Sequence, residues 1–420
     1  MQQMRIEIGI YVVAVAMACT SHAQASGTPL KVYILAGQSN MEGHARIETF
    51  DYIGEDPATA PILKEMVDAD GRPITCDNVW ISYYTGGHKE PDRESGEGSG
   101  KLTAGYGARG TKFGEIGSKI GPEFTFGIYM QKHVEEPILI IKIAWGGKSL
   151  HTDYRSPSAG RYKPFKQELE KLAGKFTEQE RQKWHAEKKA RTGLCYRLMI
   201  EHVKKVLADP KRVYPAYDAR AGYEIAGFAW FQGFNDLVGP YPRADDPETK
   251  STAKTIKDYS EYSRLLGCFI RDVRQELSAP DMRFVIGVLG VGGEEENPGR
   301  NAFRKAMAAP AALPEFKGNV VAVETAPFWE KALARIDAKR GKVKQMGYFL
   351  RSKHKNHANK DGNMDKQAQN DYLKKFREEL ITPEEEDMWR RGASNGGYHY
   401  LGCAKTFALI GKAFADAMVK

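Results

Sequence analysis

The sequence predicts an α/β three-layer sandwich, with a parallel sheet covered by helices on both faces. Two observations carry this. Six short runs rich in β-branched and aromatic residues read as buried strands, at 31–36, 78–83, 137–144, 225–231, 283–290 and 319–324. They are continuous rather than alternating, as expected of strands buried on both faces. Helical patterns at 122–133, 196–208, 253–277 and 300–309 lie between them, so strand and helix alternate.

The end of the chain, 403–419, reads as an amphipathic helix. Phe407, Ile410, Phe414 and Met418 recur at helical spacing after Gly402. Such a helix is expected to pack on the sheet. Three polar stretches read as insertions in loops rather than as domains, at 85–113, 154–190 and 331–381. The second is strongly basic. The third is polar and helical, with His354 and His357 near Asn356 and Asn359. Long loops at the carboxyl ends of parallel strands commonly shape substrate pockets, which makes 85–113 a candidate pocket wall.

The first 25 residues read as a signal peptide. A short apolar run at 9–19 is followed by Ser21-His22-Ala23-Gln24-Ala25, with cleavage expected after Ala25. The run is too short for a membrane span. A lipoprotein signal at Cys19 ranks second, because Ala16-Met17-Ala18 precedes it without the usual Leu. Residues 26–420 then form one domain, secreted or periplasmic. Cys76, Cys195, Cys268 and Cys403 would remain, too few for a disulfide scaffold and without metal-site spacing. Buried small apolar side chains are the favoured reading, with one or two disulfides as the alternative.

Of 420 residues, 41% are hydrophobic and 28% charged, an ordinary globular composition. The net charge is +8. Basic residues gather at 163–191, 331–344 and 351–360, where solvated faces are the commoner explanation. An anionic polysaccharide is the functional alternative. Nucleic acid is not expected, since no nucleic-acid-binding motif is present.

Four short sequences fall at strand ends or before the last helix. Gly37-Gln38-Ser39-Asn40-Met41 follows the first strand. A serine in a strand-to-helix turn can hold its hydroxyl outside the sheet and offer its N–H to an oxyanion. Taken alone, such a Ser is more often a helix cap. Trp145-Gly146-Gly147-Lys148-Ser149 follows the third run, where paired glycines let the backbone approach a ligand. Gln232-Gly233-Phe234-Asn235-Asp236 ends the fourth, and an Asn there can donate its amide to an oxyanion. For both, a simple turn is the bland alternative. Asn395-Gly396-Gly397-Tyr398-His399-Tyr400 precedes the last helix. A lone His beside two Tyr is more often packed than catalytic, yet it can supply the base a serine needs.

Together and in this order the four blocks resemble the SGNH hydrolase superfamily, named for its Ser, Gly, Asn and His. The closer resemblance is to the branch of sialate O-acetylesterase-like proteins and acetylxylan esterases, carbohydrate esterase family 6-like. Gly37 to Met41 matches its G-Q-S-N-M stretch, Gly121-Pro122-Glu123 its G-P-E stretch, and Gly233-Phe234-Asn235-Asp236 its G-x-N-D block. The resemblance implies a flavodoxin-like sheet and a carbohydrate O-acetylesterase using no metal or organic cofactor. It implies Ser39 as nucleophile and His399 as general base. The oxyanion donors would be the Ser39 N–H, the Gly147 N–H (or that of Gly146) and the Asn235 side chain. Gln38 and Gln232 would touch substrate.

The usual sites of a His-orienting acid hold Gly396, three residues before His399, and Phe234. Glu324 is the first replacement candidate, because it ends a strand, and Asp236 the second. A backbone carbonyl behind His399 is a third solution. A catalytically weak glycan-binding protein is the alternative function. Losing the acid costs about 10⁴ in turnover in the serine-protease example. An esterase for long apolar acyl chains ranks lower, for want of an apolar lid.

Overall fold

In the computed structural model, residues 27–86, 95–108, 117–243, 256–355 and 357–420 are described. The expected signal peptide and Asn356 lie outside them, as do parts of the 85–113 insertion. Among the described residues the main sheet has strands β1 (Leu30–Gly37), β2 (Thr75–Gly86), β3 (Ser95–Thr103), β4 (Ile138–Trp145), β5 (Tyr223–Phe231), β6 (Arg283–Val288) and β7 (Val320–Glu324). Their order is β3-β2-β4-β1-β5-β6-β7. Every neighbouring pair is parallel except β2 with β3.

Side-chain alternation along β5 sends residues to two helical layers. Phe228 and Trp230 meet Phe269 of the helix Ser260–Glu276, with centroids 5.9 and 4.3 Å apart. Phe231 points the other way and meets Phe414 of the last helix, Ala404–Val419, at 5.5 Å. That helix buries Phe407, Ile410, Phe414 and Met418, as its periodicity predicts. It also crosses the helix Glu123–His133. Gly411 permits the approach, since a Cβ there would lie 2.2 Å from the Pro122 carbonyl oxygen. The architecture is the predicted three-layer sandwich.

β3 corrects the reading of 85–113 as a loop. Its sequence is rich in glycine because two rings lie against it. A Cβ at Gly98 would meet Tyr83 Oη at 2.2 Å, and one at Gly100 would meet Tyr106 Oη at 2.5 Å. The basic insertion is likewise helical, at Lys166–Lys175 and Glu178–Arg191. The second of these helices has no buried residue and lacks an apolar stripe. It starts instead on a capping box, in which Thr177 N–H donates to Glu180 Oε2 at 2.7 Å. Helices at Lys331–Arg351 and Lys366–Leu380 fill the third insertion. There His357 stacks on Phe349 at 4.1 Å, a packing contact. All four described cysteines are buried and free. No helix among the described residues is long and apolar enough to cross a membrane.

The chain leaves β1 for β2 and β4 on one side, then crosses to β5, β6 and β7 on the other. Its direction reverses at the β1–β5 pair. In open α/β sheets a ligand crevice forms at the carboxyl ends of the strands at such a reversal. Gly37 is level with Ala144 of β4 and with Phe231 of β5. The Ser39, Gly147 and Asn235 blocks therefore leave adjacent strands at one height.

Candidate active site

Gly37 lets β1 and β5 close together, because a Cβ there would lie 2.2 Å from the Phe231 carbonyl oxygen. Beyond it the chain turns at once, and Met41 N–H and Glu42 N–H donate to the Gln38 carbonyl at 2.8 and 2.9 Å. Ser39 opens this single helical turn, Ser39–Glu42, where a backbone N–H has no partner within its own helix. Among the described residues neither Ser39 N–H nor Ser39 Oγ makes an internal hydrogen bond.

A buried amide network fixes Asn235 beside this turn. Gln38 Oε1 accepts from Gly233 N–H at 3.1 Å, from Asn235 N–H at 3.3 Å and from Gln232 Nε2 at 3.1 Å. These donors settle which end of the Gln38 amide is oxygen. Its Nε2 must then donate to Asn235 Oδ1, at 3.1 Å. Asn235 Nδ2 is left facing away from Gln38, free to donate outward. Gln38 and Gln232 are 2% and 1% exposed. Both are part of the buried framework that positions Asn235.

Asp236 does not reach His399. Its carboxylate accepts from Leu150 N–H, His151 N–H, Gln232 Nε2 and Tyr241 Oη, at 2.7–3.1 Å. It ties the Gly147 loop to the Asn235 loop. Burial pushes this carboxyl above the usual range, although its hydrogen bonds pull the other way. Gly147 is left-handed at φ 72°, a conformation that favours glycine. Of the two glycines, Gly146 gives its N–H to Glu42. Gly147 N–H donates to no described residue, so of the two it is the one left to meet a ligand. Gly147 and Asn235 together line a cavity of about 150 Å³.

Lys142 braces the turn from below. It is fully buried in β4, and its Nζ donates to the Glu42 carbonyl, the Tyr106 carbonyl and Glu123 Oε2 at 2.7, 2.7 and 2.8 Å. Glu123 Oε1 in turn accepts from Gly121 N–H at 2.9 Å. The Gly121-Pro122-Glu123 stretch therefore holds a carboxylate paired with Lys142. Sequence reasoning passed over Lys142, although a lysine inside an Ile-rich strand is itself the signal.

The loop before the last helix brings His399 to the same edge. Asn40 Nδ2 donates to the Tyr398 carbonyl at 3.3 Å, joining the residues that flank Ser39 and His399. His44 stacks on His399, with centroids 3.9 Å apart and planes 1° from parallel. Tyr398 lies 6.2 Å from Phe234. No hydrogen bond joins Ser39 Oγ to His399 among the described residues. Such contacts often close only with substrate bound.

Behind His399 stands Asn395, with Oδ1 3.1 Å from His399 Nδ1. The same oxygen accepts from Gly396 N–H at 2.7 Å, which fixes the amide orientation. Nδ1 must therefore carry the proton, and Nε2 presents the basic lone pair. This partner of Nδ1 is a side-chain amide. No hydrogen bond joins Glu324 to His399 among the described residues. Glu324 ends β7, beside Thr325, whose hydroxyl meets that of Tyr400. Burial raises its carboxyl, and Arg304 draws it back down.

The loop itself is strained. Tyr400 and Leu401 have positive φ of 51° and 61°, ahead of Gly402 at 58°. Tyr400 Oη accepts from Gly290 N–H at 2.6 Å and meets Thr325 Oγ1 at 2.6 Å, pinning the loop to the ends of β6 and β7.

Residues 29–327 match the model of a carbohydrate esterase family, described as sialic acid-specific acetylesterase. The chain belongs to that family. The matched span includes Ser39, Gly147 and Asn235, and it ends before Asn395 and His399. No curated protein matches the sequence. Similar solved structures include a protein from Arabidopsis thaliana, at 14% identity over 71% of this chain and 86% of that one, with a TM-score of 0.34. A carbohydrate acetylesterase from Xanthomonas citri matches at 14% over 70% and 49%, TM-score 0.36. The protein NanS matches at 15% over 72% and 78%, TM-score 0.36. At these scores nothing about the site rests on them.

Proposed function

We propose that this member of the carbohydrate esterase family is an exported serine O-acetylesterase of the SGNH type, acting on acetylated carbohydrate. His399 Nε2 takes the Ser39 proton as Oγ attacks the acetyl carbonyl. The tetrahedral oxyanion is met by Ser39 N–H, Gly147 N–H and Asn235 Nδ2. His399 returns the proton to the leaving sugar hydroxyl, and water then releases acetate from Ser39 by the reverse sequence. Asn395 holds the imidazole in the tautomer this needs. The observation that carries the reading is the Gln38–Asn235 amide contact at 3.1 Å, which turns a donor outward beside Ser39. Incubation with O-acetylated polysaccharides, and with 4-nitrophenyl acetate beside the octanoate, tests it. Acetate release with strong preference for acetyl is expected; equal or faster octanoate cleavage contradicts it.

The amide behind His399 also favours a second reading, a catalytically weak glycan-binding protein. The group hydrogen-bonded to Nδ1 is an amide, which stabilises an imidazolium less than a carboxylate would. Calorimetry against acidic glycans at low salt tests this reading, and absence of binding removes it.

A further inference from the structure

The helical insertion supplies a second cavity beside the oxyanion donors. It measures about 610 Å³, and its wall includes Arg161, Tyr162, Pro164, His185, Lys188 and Lys189. No carboxylate is among the described residues of its wall. Lys188 also lines the smaller cavity that contains Gly147 and Asn235, so the two spaces share a wall. The Lys188 ammonium sits 4.7 Å from the Tyr162 ring centroid and 5.3 Å from that of Trp184. Glu168 approaches it at 3.2 Å, which leaves Arg161 and Lys189 as the less neutralised cations. Both are exposed. Arg191, at the end of the same helix, is held by Asp153 at 2.7 Å and is not part of this set.

A concave site with three cations and an apolar ring in its wall, and one carboxylate near it, Glu168, paired to a single cation, suits a ligand that carries fixed negative charge on a sugar. We propose that this cleft is an anion subsite that binds a carboxylate or sulfate on a sugar unit adjoining the one whose acetyl ester is cleaved. The proposal rests on the esterase reading of Ser39. It gives the basic insertion a task that a solvated helix face would not have. The subsite holds the polymer while the ester lies over Gly147 and Asn235. It should act on KM and leave the chemical step alone.

The test compares the wild type with the double variant Arg161→Gln/Lys189→Gln. A second double variant, Lys374→Gln/Lys375→Gln, removes the same charge from the helix Lys366–Leu380, which is not among the described residues of that wall. Substrates are O-acetylated polygalacturonate, O-acetylated dextran sulfate, O-acetylated xylan as the neutral arm, and 4-nitrophenyl acetate. At low ionic strength the first variant should raise KM on an acidic polymer about tenfold, with kcat unchanged. The effect should shrink in high salt. KM on acetylated xylan and the rate on 4-nitrophenyl acetate should not move. A shift with only one acidic polymer narrows the anion to carboxylate or to sulfate. No shift with either, an equal shift from the remote variant, or an equal shift on xylan would overturn the subsite. If the wild type releases no acetate from any substrate, the esterase reading fails separately. Calorimetry with deacetylated polygalacturonate then reads the subsite directly. A Kd about tenfold weaker in the first variant supports it, and equal affinity in both overturns it.

Discussion

Ser39 stands in a turn braced by side chains from neighbouring strands, whereas His399 stands in a loop braced largely by its own backbone. Lys142 and Glu123 form a fully buried ion pair under the first. Gln38, Gln232, Asn235 and Asp236 cross-link it to the Gly147 loop. The His399 loop instead closes on Leu401, whose carbonyl accepts from Ser394 and Asn395 N–H at 2.9 Å. Among the described residues the Tyr400 hydroxyl, the Asn40 amide and Ser394 Oγ, which accepts from Arg46 N–H at 3.1 Å, tie it to neighbouring segments. The Ser39 side is therefore braced by buried side chains, and the His399 side by a strained turn and a few side-chain contacts.

The difference can be broken from either side. Lys142→Met should cause the largest change, because it strands the Glu123 carboxylate in the core; a loss of about 3–5 kcal/mol in urea unfolding is expected. A loss below 1 kcal/mol would mean that the pair is not what fixes the turn. Asn235→Ala removes one oxyanion donor and should lower kcat by about 10²–10³ with KM little changed. Gln38→Leu should approach the same loss without touching substrate, by freeing the Asn235 amide to turn. On the base side, Asn395→Asp faces the imidazolium with a negative charge and should raise kcat about tenfold. An unchanged kcat would show that the amide already does all that an acid would do here.

The smallest effect concerns acid. Burial lowers His151 and His202 from 6.5 to about 4. Between those values the unfolded chain binds protons that the folded chain refuses. Stability should therefore fall on acidification through this window, by up to about 1.4 kcal/mol per pH unit for each group. Glu42 has the opposite sign. Burial raises it to about 7, so its folded form keeps a proton that the unfolded chain releases above about 4.5, and stability falls as pH rises toward 7. Unfolding titrations of His202→Gln and Glu42→Gln should flatten the respective limbs.

The same contrast governs what the sequence discloses. The parallel strands were legible because burial on both faces writes near-continuous apolar runs, and Ser39, Gly147 and Asn235 follow those runs directly. β3 was not legible, because it makes room for Tyr83 and Tyr106 with glycine, the residue that normally marks a loop. The helix Glu178–Arg191 escaped for the reverse reason, having caps but no buried face. The partner of His399 was the hardest to read. A search for carboxylates leads to Glu324 at a strand end, but among the described residues no hydrogen bond joins it to His399. The group that fills the position is an amide four residues before His399, brought there by backbone turns that no periodicity encodes.

Acetate release from 4-nitrophenyl acetate by the wild type and Ser39→Ala, at matched folding by circular dichroism, tests the central claim most directly. The account predicts a loss of about 10⁴-fold or more in the variant. Equal rates in the two proteins would contradict it.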